Sequence, residues 1–453
     1  MKRLLSLFVL LPLFAFGQEA IRIVAPHSEV RALSHLVSID AVHGDTIIAY
    51  ASLAELQRLE SKGYAYTPLA LSEPKALSMA GTIDELRQWN RYPTYPTYVA
   101  YMQQMAQQYP TLCHLDTIGT SLRNHLILCL HIHPQGADNE APEFFYSSTI
   151  PGDELPGYYF MLRLIDTLLT GYANNEELRY LVDHVNIYIN PLANPDGTYN
   201  GGDNSVQGAM RYNSNWVDLN RNYPDPFGTD PDDPIQLENT LMMDYVGQHQ
   251  FRLSANLHGG SEVLNYPWDS FESWERRHPQ WEWWEAVCKR FIDTMRTYAP
   301  SLYRDVVSAG YIEGGDWYVI PNGRQDYINY YHDCLEMTME VSSDKKLSTN
   351  QLDAYWGYQH RSLINYIKEL LVLYPPVESV AEADGEPMLK AYPSPTSGLL
   401  HIDGSDSGVE IIDMQGRIRM TLPSGTTTID LSPLPSGIYT LRTNGKAVRV
   451  VKI

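Results

Sequence analysis

Two residues of this chain have the donor chemistry and the setting of metal ligands. Glu154 ends the run Glu143-Phe-Phe-Tyr-Ser-Ser-Thr-Ile-Pro-Gly-Asp-Glu154, just past a strand and at the mouth of a helix whose start Pro156 favours. His258 closes the apolar run Leu253–Leu257 and is followed by Gly259 and Gly260, so its imidazole can face a cleft while the backbone turns away. A carboxylate and an imidazole suit zinc, and a catalytic zinc site wants three protein ligands and one position open to water. A third ligand three residues before Glu154 would fall on the same side of the metal. That position is Pro151, which has no donor group. Alone, His258 would more often be a structural histidine than a ligand.

Two further segments carry charge in suggestive places. The run Arg211-Tyr-Asn-Ser-Asn-Trp-Val-Asp-Leu-Asn220-Arg221 puts two guanidinium groups and an amide around a turn, suited to gripping a carboxylate in bidentate fashion. Without context these arginines would be surface salt-bridge formers. The strand Cys334–Ser342 alternates apolar Leu335, Met337, Met339 and Val341 with Glu336, Thr338 and Glu340, so one face is core and the other can display a carboxylate. Either Glu340 or Glu336 is the candidate general base.

Taken in order, these pieces resemble the zinc metallocarboxypeptidases of the funnelin family, over about residues 89–374. The matching motifs are Ile150-Pro-Gly-Asp-Glu154, Asn194-Pro-Asp-Gly197, Asp218-Leu-Asn-Arg-Asn222, Asn256-Leu-His-Gly-Gly260, Asp316-Trp-Tyr318 and Thr338-Met-Glu340-Val. The resemblance implies zinc on Glu154 and His258, with Glu340 as general base and acid. It further implies Asn220 and Arg221 as the clamp for a terminal carboxylate, Arg211 as the oxyanion stabiliser, and Tyr318 as a phenol closing over the substrate. Asp269 and Gln325 stand where members that remove Lys or Arg hold the side-chain pocket, which implies a preference for basic C-terminal residues. A lone loop Asp is otherwise a turn cap.

The departure is Pro151, which occupies the place of the family's first histidine ligand. Loss of supporting groups alone weakens a metal site ~10–100-fold, and loss of a ligand costs at least that. Two functions follow. One is a secreted carboxypeptidase acting on peptide C-termini, its zinc site completed by Asp153, another histidine or an extra water. The other is a pseudoenzyme that keeps Asn220, Arg221 and Asp269 as a receptor for chain ends.

The elements that must position these residues divide the chain into five stretches. Residues 1–17 combine Lys2 and Arg3 with the apolar run Leu4–Phe16 and a small-residue end, the pattern of a secretory signal peptide. Residues 18–80 form a small N-terminal α/β region, either a propeptide-like unit or an accessory domain. Residues 86–374 alternate strands with helices, which predicts an α/β fold with a carboxypeptidase-like mixed β-sheet flanked by helices. Residues 375–388 are rich in Pro, Glu, Ala and Asp and read as a linker. Residues 389–453 hold only short strands and turns, a C-terminal β-sandwich that resembles the sorting domain read by the type IX secretion system. That resemblance implies export through the periplasm to the outer-membrane surface or beyond, with the secretion machinery as a partner.

Composition fits this picture. At 453 residues with 44% hydrophobic side chains the chain can build a large core, and a formal charge of −21 argues against nucleic acid as a partner. No stretch after the signal peptide reaches the ~18 apolar residues of a membrane span. Cys113, Cys129, Cys288 and Cys334 could pair in three ways in an oxidising compartment, whereas Cys129, inside Leu126–Leu130, reads as a buried thiol.

Overall fold

The computed structural model describes residues 19–69, 77–137, 140–228, 230–376, 389–394, 396–403, 407–413, 417–443 and 446–452. The signal peptide expected over 1–17 and most of the expected linker lie outside them. The chain divides near Pro376 into two compact units.

The N-terminal region forms a four-stranded antiparallel sheet of β1 (Glu19–Val24), β2 (Ser38–His43), β3 (Thr46–Ala51) and β4 (Tyr66–Pro68), in the order β2-β3-β1-β4. A helix over Leu53–Ser61 backs it, begun by a capping box in which Ser52 and Glu55 satisfy each other's backbone N–H groups. Leu56 and Leu59 of this helix are buried, while Leu53 is exposed. The region is not a free-standing domain, because Ile21, Ile39, Leu59 and their neighbours share one apolar core with Val263, Trp317, Tyr318 and Ile320.

After a two-strand ladder of β5 (Met79–Ala80) and β6 (Tyr92–Pro93), the central sheet has eight strands. They are β7 (Cys113–Thr120), β8 (Leu126–Ile132), β9 (Glu143–Ser148), β10 (Asn186–Asn190), β11 (Phe251–His258), β12 (Ser261–Tyr266), β13 (Tyr311–Glu313) and β14 (Leu335–Ser342). The order is β13-β12-β14-β11-β9-β10-β8-β7, with β10-β9-β11-β14 parallel, the β14–β12, β10–β8 and β8–β7 pairs antiparallel, and the edge pair β12–β13 parallel. The sheet is therefore mixed, with its main parallel run at the centre. Alternate side chains go to opposite faces, as the pleat requires. Phe144, Tyr146, Leu257, Met337 and Met339 enter a large core with the helices Tyr95–Gln108, Leu155–Gly171, Trp281–Arg296 and Leu352–Leu373. Phe145 and Tyr188 enter a smaller core on the other side, beneath the helix Leu237–Gly247 and Ile328. All four cysteines are buried free thiols, so none of the three possible pairings forms.

The second unit holds one sheet of β15 (Lys390–Tyr392), β16 (Leu399–Asp403) and β19 (Thr428–Asp430). Its other sheet contains β17 (Val409–Asp413), β18 (Ile418–Leu422), β20 (Gly437–Thr443) and β21 (Lys446–Lys452). Leu400, Ile402 and Ile429 of the first sheet meet Ile411, Leu441 and Val450 of the second in one core, the arrangement of a small sandwich.

Candidate functional site

Parallel strands bring their carboxyl ends to one edge of the sheet, where open α/β sheets place their ligands. Three of these ends carry the candidate chemistry. The chain leaves β9 through residues 149–153 and delivers Glu154 at the N-cap of the helix Leu155–Gly171. His258 is the last residue of β11 and pairs in register with Glu340 of β14. Two glycines shape this edge. Gly260 turns the chain at φ +121°, and Gly152 lies so near the 197–198 backbone that an added Cβ would stand 2.6 Å from Gly197 C.

Glu154, His258 and Arg211 converge. His258 Nδ1 lies 2.8 Å from Glu154 Oε2, and Arg211 Nη1 lies 3.3 Å from Glu154 Oε1. The other ring nitrogen of His258 meets Asn256 Oδ1, whose amide is oriented by its donations to Glu336 and Thr338. Burial alone would favour a neutral Glu154, but Lys345, His258 and Arg211 outweigh it and hold the carboxyl down at about 2. Glu340 has the opposite fate. Burial, then the Glu154 and Asp40 carboxylates, push it well above the usual carboxylate range, and its Oε2 has no hydrogen-bond partner among the described residues.

Glu336, the competing base, is a structural group. Its Oε2 accepts from Arg324 Nη2 at 3.0 Å and from Ser254 Oγ at 2.8 Å, with both ionic side chains fully buried. Arg324 in turn uses its backbone N–H to hold Asn220 Oδ1 at 3.0 Å, which fixes the turn before Arg221. Asp269 and Gln325 meet directly, Gln325 Nε2 donating to Asp269 Oδ1 at 2.7 Å. Burial and the neighbouring Asp326 carboxylate raise Asp269 well above the ordinary carboxylate value, with Arg221 acting in the other direction.

The cleft is lined on its remaining side by the N-terminal sheet. Arg221 Nη2 donates to the Ile39 carbonyl at 2.9 Å, the Tyr318 hydroxyl reaches the Asp40 carbonyl at 3.4 Å, and Ser38 Oγ donates to Asp218 at 2.7 Å. The Asp40 carboxylate pairs with Arg211 at 3.2 Å and with Lys345. Strand β2 thus touches Arg211, Arg221 and Tyr318.

Sequence reasoning missed two of the charged groups, Asp40 and Lys345. Lys345 Nζ is 3.4 Å from Glu154 Oε1 and 4.0 Å from Asp153 Oδ2, and a ring-face contact with Tyr50 lies 4.7 Å away. Burial works against this ammonium, but Asp153, Asp40 and Glu154 more than compensate and keep it charged far above the ordinary lysine value. The available signal was position alone, five residues past Glu340 where β14 leaves the sheet.

Zinc finds a poor match here. The Pro151 side chain offers no lone pair, both His258 ring nitrogens already face protein oxygens, and the free side of Glu154 is taken by two cations. Among the described residues no group of three or more His, Cys, Asp or Glu gathers as a cation cage.

Comparison with known proteins places these features in a lineage. Residues 98–361, more than half the chain, match the zinc carboxypeptidase family, and residues 390–453 match the secretion system C-terminal sorting domain. Carboxypeptidase D of Anas platyrhynchos is 32% identical over 277 residues, 58% of this chain and 20% of that protein. Carboxypeptidase M of Mus musculus is 32% identical over 290 residues, 59% of this chain and 62% of that protein. The chain therefore spans about a fifth of the first of these relatives. The fold is shared with carboxypeptidase A from Helicoverpa armigera, at 15% identity and a TM-score of 0.59 over 79% of this chain and 98% of that one. Thrombin activatable fibrinolysis inhibitor shares it too, at 14% identity and a TM-score of 0.56 over 79% and 99%. No described helix is long and apolar enough to cross a membrane. With its catalytic-edge motifs and its sorting tail, the chain belongs to the zinc carboxypeptidase family.

Proposed function

We propose that this family member is an exported receptor for peptide C-termini that does not hydrolyse them. The observation that carries the proposal is the pairing of Pro151, which removes a ligand, with the Lys345 ammonium 3.4 Å from Glu154. Without a metal to neutralise the cluster, Glu340 keeps its proton and is a poor base. The groups that grip a chain end need no metal. Asn220 and Arg221 take the terminal carboxylate, Asp269 with Gln325 takes a Lys or Arg side chain, Tyr318 closes over the ligand, and Arg211 faces its last carbonyl. In the closed chain Ile39 and Asp40 occupy these partners, so a peptide binds by displacing β2. The tail directs export through the periplasm by the type IX machinery, followed by release or surface attachment.

A second reading, zinc-dependent removal of C-terminal Lys or Arg, is favoured by one feature. Glu340 Oε2 is buried without a partner among the described residues, as a base awaiting a water would be. Metal content and peptide assay on the same sample separate the two. The receptor reading expects metal-poor protein that binds a peptide ending in Arg and leaves it intact, whereas stoichiometric zinc with release of free arginine overturns it.

A further inference from the structure

A divalent cation at Glu154 and His258 would have to share the cluster with an ammonium that the chain supplies itself. The Lys345 carbonyl accepts the Leu155 N–H at 2.8 Å, which ties this residue to the first turn of the helix that Glu154 caps. Its stem then runs over Gly260, where an added Cβ would stand 3.1 Å from Lys345 Cε. The Tyr50 ring lies 4.7 Å from Nζ, a cation–π distance, and the side chain is only 13% exposed. Three carboxylates from two separate regions face it: Asp40 of β2, and Asp153 and Glu154 of the loop after β9. A cleared path, an aromatic neighbour and convergent carboxylates together make a built cation site whose occupant is a side chain.

We propose that Lys345 is the resident cation of this cleft, taking the electrostatic place of a metal by facing the Asp40, Asp153 and Glu154 carboxylates. The assignment rests on the receptor reading of the same site and adds its chemistry. A metal-bearing cleft polarises a carbonyl, while Lys345 beside Arg211 makes a cleft that takes a carboxylate. Asp40 is that carboxylate in the closed chain. Removing the ammonium leaves three carboxylates facing a vacated position, with His258 Nδ1 2.8 Å from one of them, Glu154, and these are donors suited to a divalent ion.

Zinc and cobalt titrations of the full chain test this, comparing wild type with Lys345→Met, Pro151→His and the double variant, with circular dichroism and melting to establish folding. Wild type is expected to retain little metal, Lys345→Met to gain at least ~10-fold in affinity, and Pro151→His alone to gain less than the double variant. A folded Lys345→Met that gains nothing, or a Pro151→His that matches the double variant, overturns the assignment. Wild type provides a check that needs no variant, because the Lys345 side-chain nitrogen resonance should stay unmoved by excess zinc. A shift saturating at one equivalent overturns the proposal. The two readings fail separately: metal-poor wild type that binds the peptide intact while Lys345→Met gains no metal sinks only the Lys345 assignment, whereas released arginine sinks the receptor reading.

Discussion

The Ile39 carbonyl accepts the Arg221 Nη2–H at 2.9 Å, so a backbone group of β2 holds the arginine proposed to clamp a terminal carboxylate. The next residue, Asp40, pairs with Arg211 and Lys345. These contacts compete with any incoming peptide, and Asp40→Asn weakens them without touching the proposed ligand groups. Arg211 keeps Asp218 and Lys345 keeps Glu154, so the cost to stability should be only ~1–3 kcal/mol. The affinity of a peptide ending in Arg should rise about tenfold, equal to ~1.4 kcal/mol. Fluorescence anisotropy measures the affinity, and hydrogen exchange of the 38–43 amides reports whether β2 lifts. If neither quantity moves, β2 is not what closes the cleft.

Glu336 and Glu340 lie four residues apart on the same face of β14, yet replacing each by Gln should give opposite results. Glu336 is ionically paired in a fully buried setting, and breaking such a pair from one side costs ~3–5 kcal/mol because Arg324 is left uncompensated. Glu340 already favours its neutral form, so Glu340→Gln should cost about 1 kcal/mol or less at neutral pH. Its sign with pH is also fixed. A carboxyl raised in the folded state keeps a proton that the unfolded chain releases near 4.5, so wild type loses stability relative to the variant as pH rises above that value. Denaturant melts of both variants across that range decide the matter. A Glu340→Gln penalty as large as that of Glu336→Gln would mean the carboxylate is ionised and paired.

Much of this site could be read from residue order, and the part that could not has a common cause. Glu154 at a helix cap, His258 at a strand end and the alternation along 335–342 are local patterns, set by periodicity and capping. The choice between Glu340 and Glu336 was not local, because it depends on Arg324 arriving from another helix. Asp40 lies in a strand of ordinary β character and Lys345 in a loop after β14, and only the packing of the N-terminal sheet brings the two to Glu154. How the region over 18–80 packs is likewise not a local property. Its core includes Trp317 and Ile320, contacts no pattern within 18–80 announces.

Asp269 and Gln325 define the proposed preference for basic ends. Gln325 orients the Asp269 carboxyl, which burial and Asp326 raise, and a Lys or Arg side chain beside it would favour its charged form. Binding of an Arg-ended peptide should exceed that of a Leu-ended one by at least tenfold, ~1.4 kcal/mol, in wild type. Asp269→Asn should level the two by weakening the Arg peptide while leaving the Leu peptide unchanged. Equal affinities in wild type would remove Asp269 from the recognition of side chains.

His125 gives the cleft a pH-dependent support. Its Nδ1 lies 2.7 Å from Asp196 and its Nε2 3.0 Å from Asp203, while Asp196 also accepts Ser121 Oγ, the Arg123 N–H at 3.0 Å and Ser214 Oγ at 3.0 Å. The cluster anchors the turn at Gly197, whose carbonyl accepts the Met210 N–H at 3.0 Å beside Arg211. Burial would lower the His125 pKa, but Asp196 and Asp203 outweigh it and raise it above 6.5. A histidine raised in the folded state stabilises fully below its unfolded value and loses that contribution as pH climbs through the folded one. The penalty of His125→Asn should therefore be greatest near pH 5.5, shrinking toward about pH 8.5 as wild type gives up its proton. A penalty that stays constant, measured by denaturant melts at both values, would assign His125 a packing role with no part for its charge.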